Sequence, residues 1–231
     1  MKKLFFSAVA FLIATTFTLA QEQQAQPDPK VLPMFGKIQK TEEQQLKDQR
    51  FLASCDASFT TRQEASNFFM QRGWEFFNEG QVDTAVYRFN LAWLLNQDNS
   101  DTYWAFGLVT AAKGKSAEAI EYYEKALTLQ PSNSLLLSDV ASAHLTLYTE
   151  KNKKKNLKQA KSYLERAIAA DAKNAYALYT LSREQYYEKK YDEAWKLLHQ
   201  AREIDLSHLD YAYLGQLMEK MPDPTGLFKN N

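Results

Sequence analysis

Four eight-residue segments of this 231-residue chain share one pattern: AVYRFNLA from Ala85, AIEYYEKA from Ala119, AKSYLERA from Ala160 and AWKLLHQA from Ala194. Each places alanine, an apolar or aromatic residue, and alanine at relative positions 1, 5 and 8. Their first alanines fall 34, 41 and 34 residues apart, which describes a repeat array with one seven-residue insertion. A period of this size, built from helix pairs, belongs to units that cannot bury their own apolar face and must stack into a solenoid. Composition agrees. Ala, Leu, Glu, Lys and Gln abound, while 7 Gly and 6 Pro leave the interior few helix breakers. The fold class expected is therefore all-α.

The first twenty residues stand apart from the fold. Lys2 and Lys3 form a short basic region, Leu4 to Phe17 an apolar stretch, and Thr18-Leu19-Ala20 a small-residue exit before Gln21. This is the pattern of a cleaved signal peptide over 1–20. The apolar run is short for a permanent membrane helix, which needs about 20 residues, so no membrane span is expected after cleavage and the mature chain is expected to be exported, periplasmic or secreted. The 28 basic residues balance 28 acidic ones, which removes any global electrostatic case for nucleic acid as a partner.

Chemistry has little support. His144, His199 and His208 show no H-x-x-x-H pair and no carboxylate at metal spacing. A G-x-S-x-G elbow, a phosphate loop and a dinucleotide fingerprint are all missing. No enzyme activity, catalytic residue, metal or cofactor is expected. The single cysteine, Cys55, cannot form an internal disulfide; it reads either as a small buried thiol or as a thiol activated by Lys47, Arg50 and Arg62.

Residues 21–40 read as a flexible leader, interrupted by an apolar knot from Val31 to Gly36. Thr41 followed three residues later by Gln44 starts a leader helix assigned to 41–65. The array runs over 66–208, in units 66–99, 100–133, 134–174 and 175–208, with the insertion placed as a basic, solvated loop over 151–156. Residues 209–231, with apolar Leu209, Tyr213, Leu214, Leu217 and Met218, supply a capping helix and tail.

The spacing and residue types resemble the tetratricopeptide repeat (TPR) family, whose units carry small residues at positions 8, 20 and 27 and larger ones at 4, 7, 11 and 24. Unit one supplies Phe69, Gly73, Phe76, Ala85, Phe89 and Ala92 at positions 4, 8, 11, 20, 24 and 27; unit two matches best, with Tyr103, Gly107, Ala119, Tyr123, Ala126 and Pro131. Units three and four keep Ala141, Ala160, Leu164 and Ala167, then Leu178, Leu181, Ala194, Leu198 and Ala201, with Ser182 in place of glycine. The resemblance implies a solenoid of about four hairpins with an N-terminal leader helix and a C-terminal capping helix.

In that family the first helices line a concave groove. Carried over, the register names Met70, Trp74, Phe77, Trp104, Leu108, Tyr176, Tyr179, Arg183 and Tyr186 as groove residues. They form an aromatic, nearly uncharged surface, unlike the basic clamps with which family members hold terminal carboxylates. Two readings compete. In one, the groove takes an apolar segment of a protein or peptide partner, as Trp, Tyr and Met concentrate binding energy. In the other, residues 31–55 fill it from within the chain, across Met70, Trp74 and Trp104. The function expected is a protein-protein interaction scaffold or adaptor of the cell envelope; the alternatives are a binding protein for a small apolar ligand or glycan, and a non-catalytic accessory subunit of an envelope enzyme.

Overall fold

The computed structural model describes residues 28–228. The expected signal peptide and the first residues of the leader lie outside the described residues. Among the described residues ten α-helices follow one another. A leader helix α1 (Glu42–Ser58) precedes four hairpins: α2 (Arg62–Asn78) with α3 (Val82–Leu95), α4 (Ser100–Ala112) with α5 (Ser116–Leu129), α6 (Ser134–Lys151) with α7 (Lys154–Ala170), and α8 (Ala175–Tyr187) with α9 (Tyr191–Ile204). Helix α10 (Tyr211–Lys220) closes the stack.

Sequence chemistry sets the helix starts. Thr41 and Gln44 form the capping box anticipated for α1. Thr61, Asn99, Asn133, Asn174 and Asp210 cap α2, α4, α6, α8 and α10 through their side-chain oxygens. Helix α1 stops at Ser58 and α2 starts at Arg62, four residues ahead of Ser66, because Thr61 supplies the cap. Two of the caps also reach backwards. Asn99 donates through Nδ2 to Ser66 Oγ at 2.9 Å, and Ser66 donates to the Ala92 carbonyl at 2.9 Å. Asn174 donates to Ser134 Oγ at 2.7 Å and Ser138 Oγ at 3.1 Å, and Ser134 donates to the Ala167 carbonyl at 2.8 Å. One asparagine thus starts a hairpin and ties it to the one before. At the junction of α5 with α6 the corresponding Asn133 amide goes to Gln130 of its own loop instead.

The turns within hairpins need a left-handed residue. Gly80 (φ 78°) and Gly114 (φ 74°) supply it in the first two hairpins. In the fourth, Lys189 adopts φ 62° and its N–H still bonds the Tyr186 carbonyl at 3.0 Å, as Gly80 bonds Phe77. The third hairpin departs from the expected loop. Its extra residues lengthen both helices, to 18 residues in α6 and 17 in α7, against 13 and 14 in α4 and α5. Asn152 and Lys153 alone separate them, with Asn152 at φ 49°. Lysine is a good helix former, so a run of lysines at a helix end extends it at little cost.

First helices touch one another, α4 with α6 and α6 with α8, whereas no pair of second helices makes comparable contact. The first helices therefore form the inner layer of the curve. One buried cluster runs from Met70 through α7 to Ala177, and a second joins α8, α9 and α10 around Trp195, Leu198 and Leu217. The closest helix approaches sit where the repeat demands small residues. A Cβ on Gly73 would lie 2.3 Å from Phe89, and one on Gly107 would lie 2.2 Å from Tyr123.

Both ends are sealed. Helix α1 meets α2 and α3 through Phe51, Leu52, Phe59, Phe69 and Leu95, with the Phe51 and Phe69 rings 5.3 Å apart, edge to face. At the other end Trp195, His199 and Phe228 stack in parallel, Trp195 Nε1 donates to the Met221 carbonyl at 3.1 Å, and Asp223 accepts from the Phe228 N–H at 2.9 Å. Burial pushes the Asp223 carboxyl up, but the N–H groups of Phe228 and Thr225, with His199 and the Thr225 hydroxyl, outweigh it and hold the carboxyl at about 2.

The leader is not a free spacer from residue 28 onward. Residues 28–37 lie on α3 in two tight turns, the second of them left-handed: Met34, Phe35, Gly36 and Lys37 have φ of 54°, 53°, 71° and 56°. Three of these are not glycine, which costs about 1 kcal/mol each. Fully buried Asn90 on α3 offsets this. Its amide donates to the carbonyls of Lys30 and Leu32, both at 2.9 Å, and its oxygen accepts from the Phe35 N–H at 3.3 Å. Phe35 is buried, Met34 packs on the main core, and Lys37 sits 4.9 Å above the Tyr122 ring of α5.

Candidate functional site

The residues named for the groove fall into two groups. Met70, Trp74, Phe77, Trp104 and Leu108, from α2 and α4, edge the main core. Met70 is buried in it at 4% exposure and offers no contact surface. Trp74 stands edge-on to Phe77 and Phe89, at 5.7 and 5.0 Å, and is partly exposed, as are Phe77, Trp104 and Leu108. Tyr176, Tyr179 and Tyr186, from α8, belong to the second cluster. Tyr179 is buried there, and burial pushes its hydroxyl up to about 12. Tyr186 meets Tyr187, Tyr191 and Tyr213 edge-on or tilted, while Tyr176 and Arg183 remain partly exposed.

The buried hydroxyl network behind these tyrosines is structural. Ser182 donates to the Ala194 carbonyl at 2.7 Å, and its oxygen lies 2.7 Å from the Tyr213 hydroxyl. Ser182 stands where units one and two have glycine, so its side chain must be both small and satisfied.

Residues 31–55 do not lie across Met70, Trp74 and Trp104. The leader turns sit on second helices α3 and α5, held by Asn90 and Tyr122, and α1 packs against the end of the stack through Phe69. The physical reason is Asn90: a buried amide between two alanine-spaced core positions requires partners, and the leader backbone supplies all three. Between leader, α1 and α3 a cavity of about 210 Å³ remains, lined by Phe35, Ile38, Lys40, Phe51, Tyr87 and Leu91 among others. Lys40 is paired with Asp48.

Cys55 is 6% exposed and burial raises its thiol above the ordinary range, with Asp56 adding to the rise and Arg62 opposing it. The activated-thiol reading is thereby overturned. Lys151 ends α6, Lys154 and Lys155 open α7, and Lys153 lies in the two-residue link between them; all four are exposed. Among the described residues no group of three His, Cys, Asp or Glu side chains is placed to hold a metal ion, and no helix is long and apolar enough to cross a membrane.

One residue was absent from the sequence-derived set. Asp139 on α6 accepts from Trp104 Nε1 at 2.7 Å, joining the inner faces of α4 and α6. Burial pushes its carboxyl up to about 6, with the Trp104 hydrogen bond opposing the rise. The register carried over from the family counts position 5 and skips position 6, where Asp139 lies. A lone aspartate in the apolar run Leu135 to Ala141 was the available signal.

Comparison with known proteins agrees with this geometry. Residues 100–133, the α4–α5 hairpin, match the tetratricopeptide repeat model. No curated protein matches the chain. Among solved structures, a thermophilic TPR protein from Thermus thermophilus is 18% identical with a TM-score of 0.56, over 69% of this chain and 93% of that one. MamA from Desulfovibrio magneticus is 18% identical with a TM-score of 0.54, over 70% and 88%. Likeness at that identity establishes the fold: an all-α solenoid of four tetratricopeptide-type hairpins with flanking helices.

Proposed function

We propose that this protein is an interaction scaffold or adaptor of the cell envelope that holds a segment of a protein partner against the inner faces of its first helices. The observation that carries the reading is that Trp74, Phe77, Trp104 and Leu108 keep exposed surface on those faces while the leader packs elsewhere. Aromatic side chains on a rigid helical frame lose little entropy on binding and offer large contact area, so a few of them suffice for a hot spot of about 2 kcal/mol or more each. Placement in the envelope rests on the charged, apolar and small-residue order of residues 1–20.

The test is a photo-crosslinking residue placed in the full-length chain, expressed in its native cell, at Leu108 in one strain and at Thr128 on α5 in another. The expected result is a defined adduct from Leu108 in the exported fraction, lost on Trp74→Ala, and none from Thr128. Equal labelling at both positions, or retention of the chain in the cytoplasm, defeats the reading.

A further inference from the structure

Asp139 lies in the second turn of α6, bonded to Trp104 at the edge of the aromatic inner face. Trp104 of α4 donates to it, and Tyr123 of α5 and Tyr176 of α8 are close enough for its charge to raise both their hydroxyls, though burial contributes most to each rise. Among the described residues no lysine, arginine or histidine is paired with it. A carboxylate withdrawn from water without a counter-charge is costly, and the indole N–H is a single neutral donor that leaves most of its acceptor capacity unused. Asp139, Trp104 and Tyr176 all remain partly open to solvent on the inner face. One turn before Asp139 on the same helix face stands Leu135, 53% exposed.

A carboxylate set among indole and phenol rings suits one class of ligand. A cation gains the full charge–charge attraction, strengthened by the low local polarity, and meets ring faces whose quadrupoles also favour positive charge. An anion or a purely apolar group leaves the desolvated carboxylate uncompensated. We propose that Asp139, framed by Trp104 and Tyr176, recognises a lysine or arginine side chain of the partner segment, with an apolar neighbour of that side chain resting on Leu135. The inference rests on the groove reading above and adds the partner's chemistry to it.

The test uses three capped tripeptides, acetyl-Leu-X-Leu-amide with X lysine, arginine or norleucine, titrated calorimetrically into the full chain and its Asp139→Asn variant. Asparagine keeps an oxygen for Trp104 Nε1 and removes the charge. The expected result is that the lysine or arginine peptide binds the unaltered chain at least about tenfold more tightly than the norleucine peptide, and that the preference disappears in the variant. A second measurement needs no variant. Lowering the pH from about 7 to about 5 protonates Asp139 and weakens the cationic peptide alone, by about tenfold. The other titratable or charged groups around it are Tyr123 and Tyr176, which stay protonated throughout because their hydroxyls are held above the ordinary tyrosine range, and Arg183 and His208 beside Tyr176; the measurement is repeated in His208→Gln, where the same weakening is expected. Equal binding of all three peptides, a preference that survives in the variant or at low pH, or binding of none at millimolar concentration overturns the inference. Equal binding that is lost on Trp74→Ala sinks the cation site and leaves the groove; binding of none leaves the groove to its crosslinking test.

Discussion

The first two hairpins and the last two solve the same packing problem with different materials. In α2–α3 and α4–α5 an aromatic ring is pressed against a glycine, Phe89 on Gly73 and Tyr123 on Gly107, with no room for a methyl group. In α6–α7 and α8–α9 the glycine is replaced by Ala141 or Ser182 and the ring by Leu164 or Leu198, all four buried. Trading a ring for a leucine frees the volume that the added side chain takes up. The turns differ in the same direction, glycine in the first half and Lys189 in the last hairpin. The repeat is therefore kept as a volume and a backbone path rather than as a set of residues, and each half has become sensitive to a different kind of change.

The largest expected effect tests that exchange directly. Gly107→Ala should cost about 3 kcal/mol in urea unfolding, because the new methyl must displace the Tyr123 ring. Combining it with Tyr123→Leu, which copies the chemistry of the second half, should recover much of the loss. If the double variant is worse than the single one by the full cost of deleting the ring, the two halves are not equivalent solutions.

Next come the asparagines that tie hairpin to hairpin. Asn99→Ala and Asn174→Ala each remove a helix cap and leave buried serine hydroxyls short of a partner, for an expected loss of about 2 kcal/mol. Asn133→Ala, at the junction where the amide stays in its own loop, should lose only the cap, about 1 kcal/mol. Equal losses at all three sites would show that the backward reach contributes nothing.

A smaller effect belongs to the second half alone. Glu184 on α8 is 1% exposed and accepts from the Gln185 amide at 2.7 Å; burial pushes its carboxyl up to about 7, against the pull of Lys161 and Lys190. A raised carboxyl favours folding while it is protonated, so its contribution is whole below about 4.5 and is lost as pH rises through about 7. Glu184→Gln should therefore be more stable than the unaltered chain at pH 8, by about 1–2 kcal/mol, with the gap closing towards pH 5. A gap independent of pH would mean that the glutamate is not titrating in the fold. The smallest effect is Lys189→Gly, expected to stabilise by about 0.5–1 kcal/mol by relieving the left-handed turn, in thermal unfolding at fixed pH.

The sequence carried the parts of the fold that depend on local spacing. Alanine at intervals of seven, with a bulky residue between, marks one face of each second helix, and Thr41 with Gln44 marks the start of α1 because capping needs only the next three residues. What stayed hidden depends on partners distant in the chain. The charge of the 151–156 segment reads as a solvated loop, yet Lys151 extends α6 and Lys154 and Lys155 extend α7, leaving only Asn152 and Lys153 between them. The leader's place on α3 is set by Asn90, about 60 residues away, whose burial no local pattern announces. Asp139 fell outside a register that counts residues along single helices, while its significance arises between α4, α5, α6 and α8. Trp74 and Trp104 stand partly exposed at the edge of the core, where residue type and helical position alone put them, whereas Met70 and Tyr179, of the same register, are turned inwards.

The Asn90 clasp also gives the molecule a direction. It pins the point at which residue 28 enters the fold to the outer layer of helices, with the aromatic face on the inner one. Residues 28–37 are thus committed to the second helices, opposite the face that carries Trp74 and Trp104. The solenoid has two unlike faces, one clad by its own backbone and one left aromatic.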